Sequence, residues 1–269
     1  LSTITSILDG LGNPQHTFSS IHIAGTNGKG SIASALATIL RIAGYRVGLY
    51  TSPHLIRFNE RICVDGTPIS DDAVVASWEA VKSVHQGDRE PTFFEFSTAM
   101  AFYEFARRKV DCAVIETGMG GRMDATNVVS PTVSIITNIS LEHKTYLGVT
   151  IAAITREKAG IIKPSIPVVT GVTQKSAKAV IEKIAAERSA PLYMKGRDFR
   201  VRRTGDDRFS YFGVDHRWAG MRTGLMGSHQ LDNASLTLAV CELIMRDHDR
   251  LAKDHIQSGL AQNRWPGRL

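Results

Sequence analysis

Ile21-His22-Ile23-Ala24-Gly25-Thr26-Asn27-Gly28-Lys29-Gly30-Ser31 reads as a β-strand that empties into a glycine-rich loop and then opens a helix. Gly25, Gly28 and Gly30 permit positive φ and close backbone approach, so successive N–H groups can turn onto an anion, while Lys29 adds a point charge and Ser31 a hydroxyl. Ile21 and Ile23 alternate as strand residues do, and Ile32, Leu36, Ile39 and Leu40 recur at helical spacings of three and four. Gly44 stands where a left-handed cap would end that helix, whose N-terminus brings a partial positive charge to the loop. The stretch predicts a phosphate cradle running from Gly25 through Thr26, Asn27, Gly28, Lys29 and Gly30 to Ser31. Two positions depart from the strict P-loop spacing: Ile23 stands where the first glycine belongs, and Gly30 where a Ser or Thr follows the lysine.

Composition sets the frame around this loop. With 269 residues, 43% hydrophobic and 22% charged, the chain has the make-up of a globular protein able to bury a core. Its 32 Lys and Arg against 26 Asp and Glu leave +6, spread without a basic run of the kind that marks a nucleic-acid arm, and small anionic substrates explain that balance equally well. Cys63, Cys112 and Cys241 show no metal or disulfide spacing. No apolar run has the length of a membrane span, and no signal peptide is evident. The expected compartment is the cytoplasm, with no nucleic-acid or membrane partner and a monomeric state. A first residue of Leu rather than Met suggests that the chain starts inside a longer one.

Working outward, Ile4, Ile7, Leu8 and Leu11 predict a short packing helix stopped at Gly12-Asn13-Pro14. A second strand at 46–50 delivers the polar segment 51–62, which carries Ser52, His54, Asn59 and Glu60 to the carboxyl end of a sheet, the edge where open α/β folds bind ligands. Helices follow at 71–84, capped by Ser70 or Asp71, and at 92–107, where the many aromatics are mostly core. The strand at 111–117 ends on Glu116 before a glycine-rich turn, the placement of an acid that holds Mg²⁺ beside a phosphate loop. A fourth strand at 132–139 presents Glu142 and His143. A helix at 150–158 with Thr150 as its cap, strands at 167–170 and 191–194, and a helix between them at 174–188 extend a βαβ rhythm. That rhythm predicts an α/β fold, a doubly wound and mostly parallel sheet flanked by helices. Strands at 199–203, 209–214 and 218–225 read as a small antiparallel appendage, and Gly227 opens a helix running to about Met245.

Taken together, five stretches carry a resemblance: the 25–31 loop, Thr51-Ser52-Pro53-His54 through Ile62, Glu116 through Arg122 with Asp124 to Asn127, His143 with Leu147-Gly148, and Glu157-Lys158-Ala159-Gly160-Ile161. They are similar to folylpolyglutamate synthase/dihydrofolate synthase, in the Mur ligase superfamily, over nearly the whole chain; a glycine after the P-loop lysine is that family's form. The resemblance implies an ATP-dependent ligase that phosphorylates the carboxylate of dihydropteroate, or the γ-carboxylate of a folate, and joins L-glutamate to it. It implies that Gly28, Lys29, Gly30 and Ser31 hold the β- and γ-phosphates, and that Asn233 and Arg268 contact the nucleotide. It further implies that Ser52 and Glu116 ligate one Mg²⁺, that His143 and a carbamylated Lys158 serve a second, and that Thr92, Phe94, Asp124 and Ala125 line the pterin side. Lys29, His143 and Lys158 are then the residues expected to act in catalysis. Glu142 departs from the Asp usual in the family. The resemblance also implies that residues 1–269 are the central ATP-binding domain, without the C-terminal domain that binds glutamate, so that this portion alone would bind nucleotide weakly and not turn over. Two alternatives stand beside it, another Mur-type amino-acid ligase and a non-catalytic nucleotide-binding module.

Overall fold

A computed structural model describes residues 1–85, 89–142, 144–205, 207–246 and 249–267. The elements in chain order are helix α1 (Ser2–Gly10), strand β1 (Ser19–Ala24), α2 (Lys29–Ile42), β2 (Val47–Tyr50), β3 (Ile62–Val64), β4 (Thr67–Pro68), α3 (Asp71–Val84), α4 (Phe93–Arg107), β5 (Cys112–Glu116) and β6 (Val133–Ile136). They continue with α5 (Lys144–Leu147), α6 (Ile151–Lys158), β7 (Val168–Thr170), α7 (Lys175–Glu187), β8 (Leu192–Met194), β9 (Arg200–Arg203), β10 (Phe209–Phe212), β11 (Arg217–Met221), α8 (His229–Ile244) and α9 (Lys253–Gln262). The first eight strands form one sheet in the order β4-β3-β2-β5-β1-β6-β7-β8; the last three form a separate sheet, β11-β10-β9. Pairing is parallel from β2 to β8 and antiparallel at the β2-β3-β4 edge.

Alternation along the strands divides the core. Ile21, Ile23, Val47, Leu49, Val114, Val133, Ile135 and Val169 point to the face covered by α2, α8 and α9. Tyr50, Ala113 and Ile115 point the other way, onto α1 and α4, and Ala24, Ile136 and Val168 meet α6 and α7 on that same second face. Helices therefore cover both faces, which parallel strands need because each is buried on two sides. Glu116 shares its parity with Cys112 and Val114, so it faces the α2 side.

The expected helices, strands and appendage are present, with some shifts. Ser70 is the residue that caps α3, accepting from Ala73 N at 3.2 Å. The last appendage strand is Arg217–Met221, earlier than the expected 218–225. The segment read as a loop through Ile62 ends in the β3-β4 hairpin, turned by Asp65 (φ +52°) and Gly66 (φ +80°), a left-handed pair suited to a two-residue turn. The helix at 253–262 lies beyond the sequence reading; Gly259 lets it sit against α2, where a Cβ would lie 2.6 Å from Ile39 Cα.

β5 lies between β1 and β2, and the chain then crosses to the far side of β1. The carboxyl ends of β1, β2, β5 and β6 consequently meet at one edge, where strand order reverses and such sheets bind ligands.

Candidate functional site

The loop leaving β1 is held from below by the end of β6. Gly25 adopts φ +145° with Thr137 directly beneath it, so a Cβ there would lie 1.9 Å from Thr137 Oγ1. That hydroxyl donates to Asn27 O at 2.6 Å. Asn138 clasps the same residue twice, accepting from Asn27 N on Oδ1 (2.9 Å) and donating from Nδ2 to Asn27 O (3.1 Å), while its own carbonyl accepts from Thr26 N. Gly28, at φ +85°, caps α2, and the first amide in the helical ladder is that of Ile32, onto Gly28 O at 3.0 Å. The amides of Lys29, Gly30 and Ser31 thus remain the unladdered N-terminal donors, which is what an anion site at a helix N-terminus requires. Lys29 Nζ folds back onto Gly25 O (3.1 Å) and Thr26 O (3.2 Å) and stands 3.8 Å from Glu116 Oε1.

This loop floors a cleft of about 490 Å³ walled by Glu116, Asn138 and the start of α8 with His229, Gln230 and Asn233. Asn233 Oδ1 is so near Gly28 that a Cβ there would be at 2.3 Å. Gln230 fixes it, accepting from Asn233 Nδ2 at 2.8 Å. Gly30 lies against the indole of Trp265, where a Cβ would be 3.1 Å from Nε1, so a side chain after Lys29 would require that ring to give way. Arg268, expected at the nucleotide, lies outside the described residues.

Ser52 and Glu116 are neighbours through the Ser52 backbone, whose N–H donates to Glu116 Oε2 at 3.3 Å. Among the described residues no three His, Cys, Asp or Glu side chains converge. A cation here would rest on hard oxygen donors, the Ser52 hydroxyl and the Glu116 carboxylate together with phosphate oxygens, and that set suits Mg²⁺. Glu60 in the same segment holds its loop together, accepting from the amides of Leu55 (2.7 Å), Ile56 (3.1 Å) and Arg57 (2.8 Å). Those bonds, that of Arg57 foremost, hold its carboxyl below the usual range.

Lys158, 2% exposed at the end of α6, reaches the underside of the loop. Its Nζ donates to Gly25 O at 2.8 Å and to Glu142 Oε1 at 2.6 Å. Burial is the largest influence on this ammonium and pulls its pKa down, with the Glu142 carboxylate opposing. Burial by itself would raise the Glu142 carboxyl, but the hydrogen bond and charge of Lys158 outweigh it and leave Glu142 below its ordinary value. His143 lies outside the described residues.

The four residues expected on the pterin side sit on the opposite face of the sheet. Thr92 is exposed and caps α4, its hydroxyl accepting from Glu95 N at 3.2 Å. Phe94 lies against Tyr50, ring centroids 5.9 Å apart, and beneath Gly118, where a Cβ would be 2.5 Å from the ring. Ala125 is buried in the same cluster. Asp124 is turned inward, accepting from Met119 N (2.9 Å), Thr126 N (3.0 Å) and Thr126 Oγ1 (2.5 Å), and burial pushes its carboxyl up. Behind it, Thr126 Oγ1 meets His22 Nε2 at 2.8 Å. As the Thr126 proton goes to Asp124, His22 is the donor in that contact, with Nδ1 bare. Fully buried and repelled by Lys163, His22 is lowered to about 3 and stays neutral.

Sequence reasoning missed Asn138, Thr137 and Gln230 as the supports of the loop. Asn138 follows β6 at the sheet edge that already yielded Ser52, Glu116 and His143, a signal that was present. The partnership of Glu142 with Lys158 spans 16 residues and had none.

The Mur ligase middle domain family matches residues 23–241. The folylpolyglutamate synthase of Lacticaseibacillus casei is 41% identical over 277 residues, which cover 99% of this chain and 65% of that protein. The dihydrofolate synthase/folylpolyglutamate synthase of Bacillus subtilis is 40% identical, covering 100% of this chain and 65% of its own. A solved folylpolyglutamate synthase in complex with AMPPCP superposes with a TM-score of 0.95 at 41% identity, covering 100% of this chain and 69% of the other. The chain thus spans about two thirds of the length of the curated relatives it matches.

Proposed function

Because the chain belongs to the Mur ligase family, in its folylpolyglutamate synthase/dihydrofolate synthase branch, we propose that it is the ATP-binding and carboxylate-activating part of an amide ligase. The acid is dihydropteroate or the γ-carboxylate of a folate, and the amine is that of L-glutamate. The γ-phosphoryl group leaves ADP for a carboxylate oxygen; the amine then attacks the acyl carbon, and the tetrahedral intermediate expels phosphate as the amine nitrogen loses a proton. Phosphoryl transfer of this kind needs positioning and charge neutralisation more than a protein nucleophile. In this chain the amides of Lys29, Gly30 and Ser31 receive phosphate oxygens and the Lys29 ammonium swings from its carbonyl partners onto them. Asn138 and Thr137 keep the loop in the receiving shape, and Gln230 aims Asn233 at the nucleotide, with Arg268 joining it there. A related synthase binds AMPPCP, an ATP in which a methylene replaces the β,γ-bridging oxygen, which supports ATP as the phosphoryl donor.

Mg²⁺ would be held by Ser52 and Glu116, and a second ion by His143 and a carbamate on Lys158; such ions supply neutralisation of the phosphate charge. Carbamylation requires the free amine, and burial of Lys158 moves it in that direction. Thr92, Phe94, Asp124 and Ala125 form the pterin side in this reading. Glutamate binds in a further domain of the kind for which the longer relatives have room, residues 1–269 forming the ATP-binding domain of a monomeric, cytoplasmic enzyme.

The single observation behind this reading is the phosphate cradle meeting, in one cleft, the carboxyl end of the strand that carries Glu116. Dihydropteroate labelled with ¹⁸O in its carboxylate should deliver label to inorganic phosphate when the enzyme turns over with ATP and glutamate. Label in AMP, or none in phosphate, would overturn the acyl-phosphate route. Robust glutamate ligation by residues 1–269 alone would overturn the division of labour, and a comparison of dihydropteroate with tetrahydrofolate and UDP-muramoyl acids decides the substrate.

A further inference from the structure

The β9-β10-β11 sheet has a buried face and an open one. Phe209, Tyr211, Trp218 and Met221 point inward and join the core around α8. Alternation sends Arg200, Arg202, Ser210, Phe212, Arg217 and Ala219 to the outer face. Cross-strand register sets Arg200 and Arg217 on either side of Phe212 in the pairing, and both guanidinium groups lie over its ring, at 5.0 and 6.0 Å from the centroid. Arg202 stands beside Ser210 on the same face, about 6.6–6.8 Å along the strand from Arg200.

Residues 200–222 carry six arginines against three aspartates and no lysine or glutamate, which places +3 of the chain's +6 in this one small sheet. Two of the aspartates are engaged at its turns, Asp207 with Arg222 at 3.2 Å and Asp215 with Arg246; Asp206 lies outside the described residues. Among the described residues none of Arg200, Arg202 and Arg217 has an ion-pair partner, and all three are exposed. The sequence has no basic run because the charges alternate with core residues; folding gathers them.

We propose that this outer face binds single-stranded nucleic acid, independently of the ligase site. Arginine rather than lysine at every cationic position supplies planar forks that grip phosphate and stack on bases. A half-exposed ring with two guanidinium groups over it offers flat surface of the kind by which sheets hold unpaired bases without sequence preference. An acidic protein segment would satisfy the charges but would leave the Phe212 ring and its flanking guanidinium groups without a flat partner. The nucleotide cleft opens at the N-terminus of α8, whereas the Arg200-Phe212-Arg217 cluster adjoins the 213–216 turn that packs against Glu242, some three turns along that helix. The two sites therefore act separately.

The test uses the 269-residue chain and a fluorescein-labelled oligouridylate of about twelve nucleotides, followed by anisotropy. With three arginines on phosphates, affinity should fall about 20-fold between about 50 and 200 mM salt, from a log–log slope near −2. The triple variant Arg200→Ser, Arg202→Ser, Arg217→Ser should bind at least about tenfold more weakly, while a variant losing three exposed charges elsewhere, Lys175→Ser, Lys183→Ser, Lys253→Ser, should bind as the parent does. An unchanged melting transition and unchanged AMPPCP binding in the arginine variant would establish that fold and nucleotide site are intact. Absence of oligonucleotide binding, equal losses in the two triple variants, or tighter binding of a labelled oligoglutamate peptide of similar length would each overturn the proposal.

Discussion

Replacing His22 by Gln isolates the energetic cost of keeping an imidazole neutral beneath the phosphate loop. The side chain is fully buried on β1 and its pKa is lowered from 6.5 to about 3. Between those values the unfolded chain binds a proton that the folded chain refuses, so folding stability is undiminished above pH 6.5 and is lost progressively as pH falls towards 3. Across that whole interval the loss comes to about 5 kcal/mol, of which about 2 kcal/mol is already gone at about pH 5. The substituted glutamine would keep a nitrogen donor for Thr126 Oγ1 and cannot take up a proton. Asp124, raised by burial, pulls stability the other way on acidification, but it is common to both proteins and cancels in their difference. Urea unfolding of both at about pH 7.5 and pH 5 should show the parent losing about 2 kcal/mol more than the variant. A difference below about 0.5 kcal/mol would mean that the folded protein accommodates a charged His22, and the account of the Asp124-Thr126-His22 chain would be wrong.

Other perturbations probe the loop and its supports. Lys29→Ala should weaken AMPPCP binding about 10- to 100-fold by calorimetry with the melting transition unchanged, since it removes one charge-assisted contact from phosphate. Gly25→Ala drives a methyl into Thr137 Oγ1 at a positive φ and should cost at least about 3 kcal/mol or abolish AMPPCP binding, as unfolding and calorimetry would report. Glu242→Gln turns one oxygen of a buried carboxylate into a donor that faces either the Tyr211 hydroxyl and the Val214 amide or the amides of Asp215 and His216, a loss of about 2–4 kcal/mol in urea unfolding. Lys158→Ala should remove a carbamate carbon signal from the ¹³C spectrum of protein equilibrated with labelled bicarbonate; the same signal in parent and variant would place the carbamate elsewhere.

The parts of this molecule that sequence reveals are those fixed by neighbours along the chain. The strand, loop and helix of 21–44 follow from periodicity and glycine placement, and the polar strand ends at Ser52 and Glu116 follow from where apolar runs stop. The β3-β4 hairpin had its signal in Asp65-Gly66, but its strands are too short to show alternation. Helix α9 was hidden because Gly259, poor in an isolated helix, is there for contact with Ile39, a residue far away in the chain. The same holds for the loop's supports: Asn138 grips Asn27 across 111 residues, and nothing local to either announces the pair.

Three contacts tie segment 263–267 to the two sides of this site. Trp265 rests on Gly30, Asn263 accepts from Ser34 Oγ at 2.7 Å, and Gly267 touches Leu55, so segment 263–267 is fastened both to the phosphate-binding helix and to the loop that carries Ser52. A displacement of that segment is transmitted to the first turn of α2 without an intermediary, and filling of the loop is transmitted back. The protein thus carries its own optical gauge: of its three tryptophans, Trp265 is the one whose emission should report what the phosphate loop is holding.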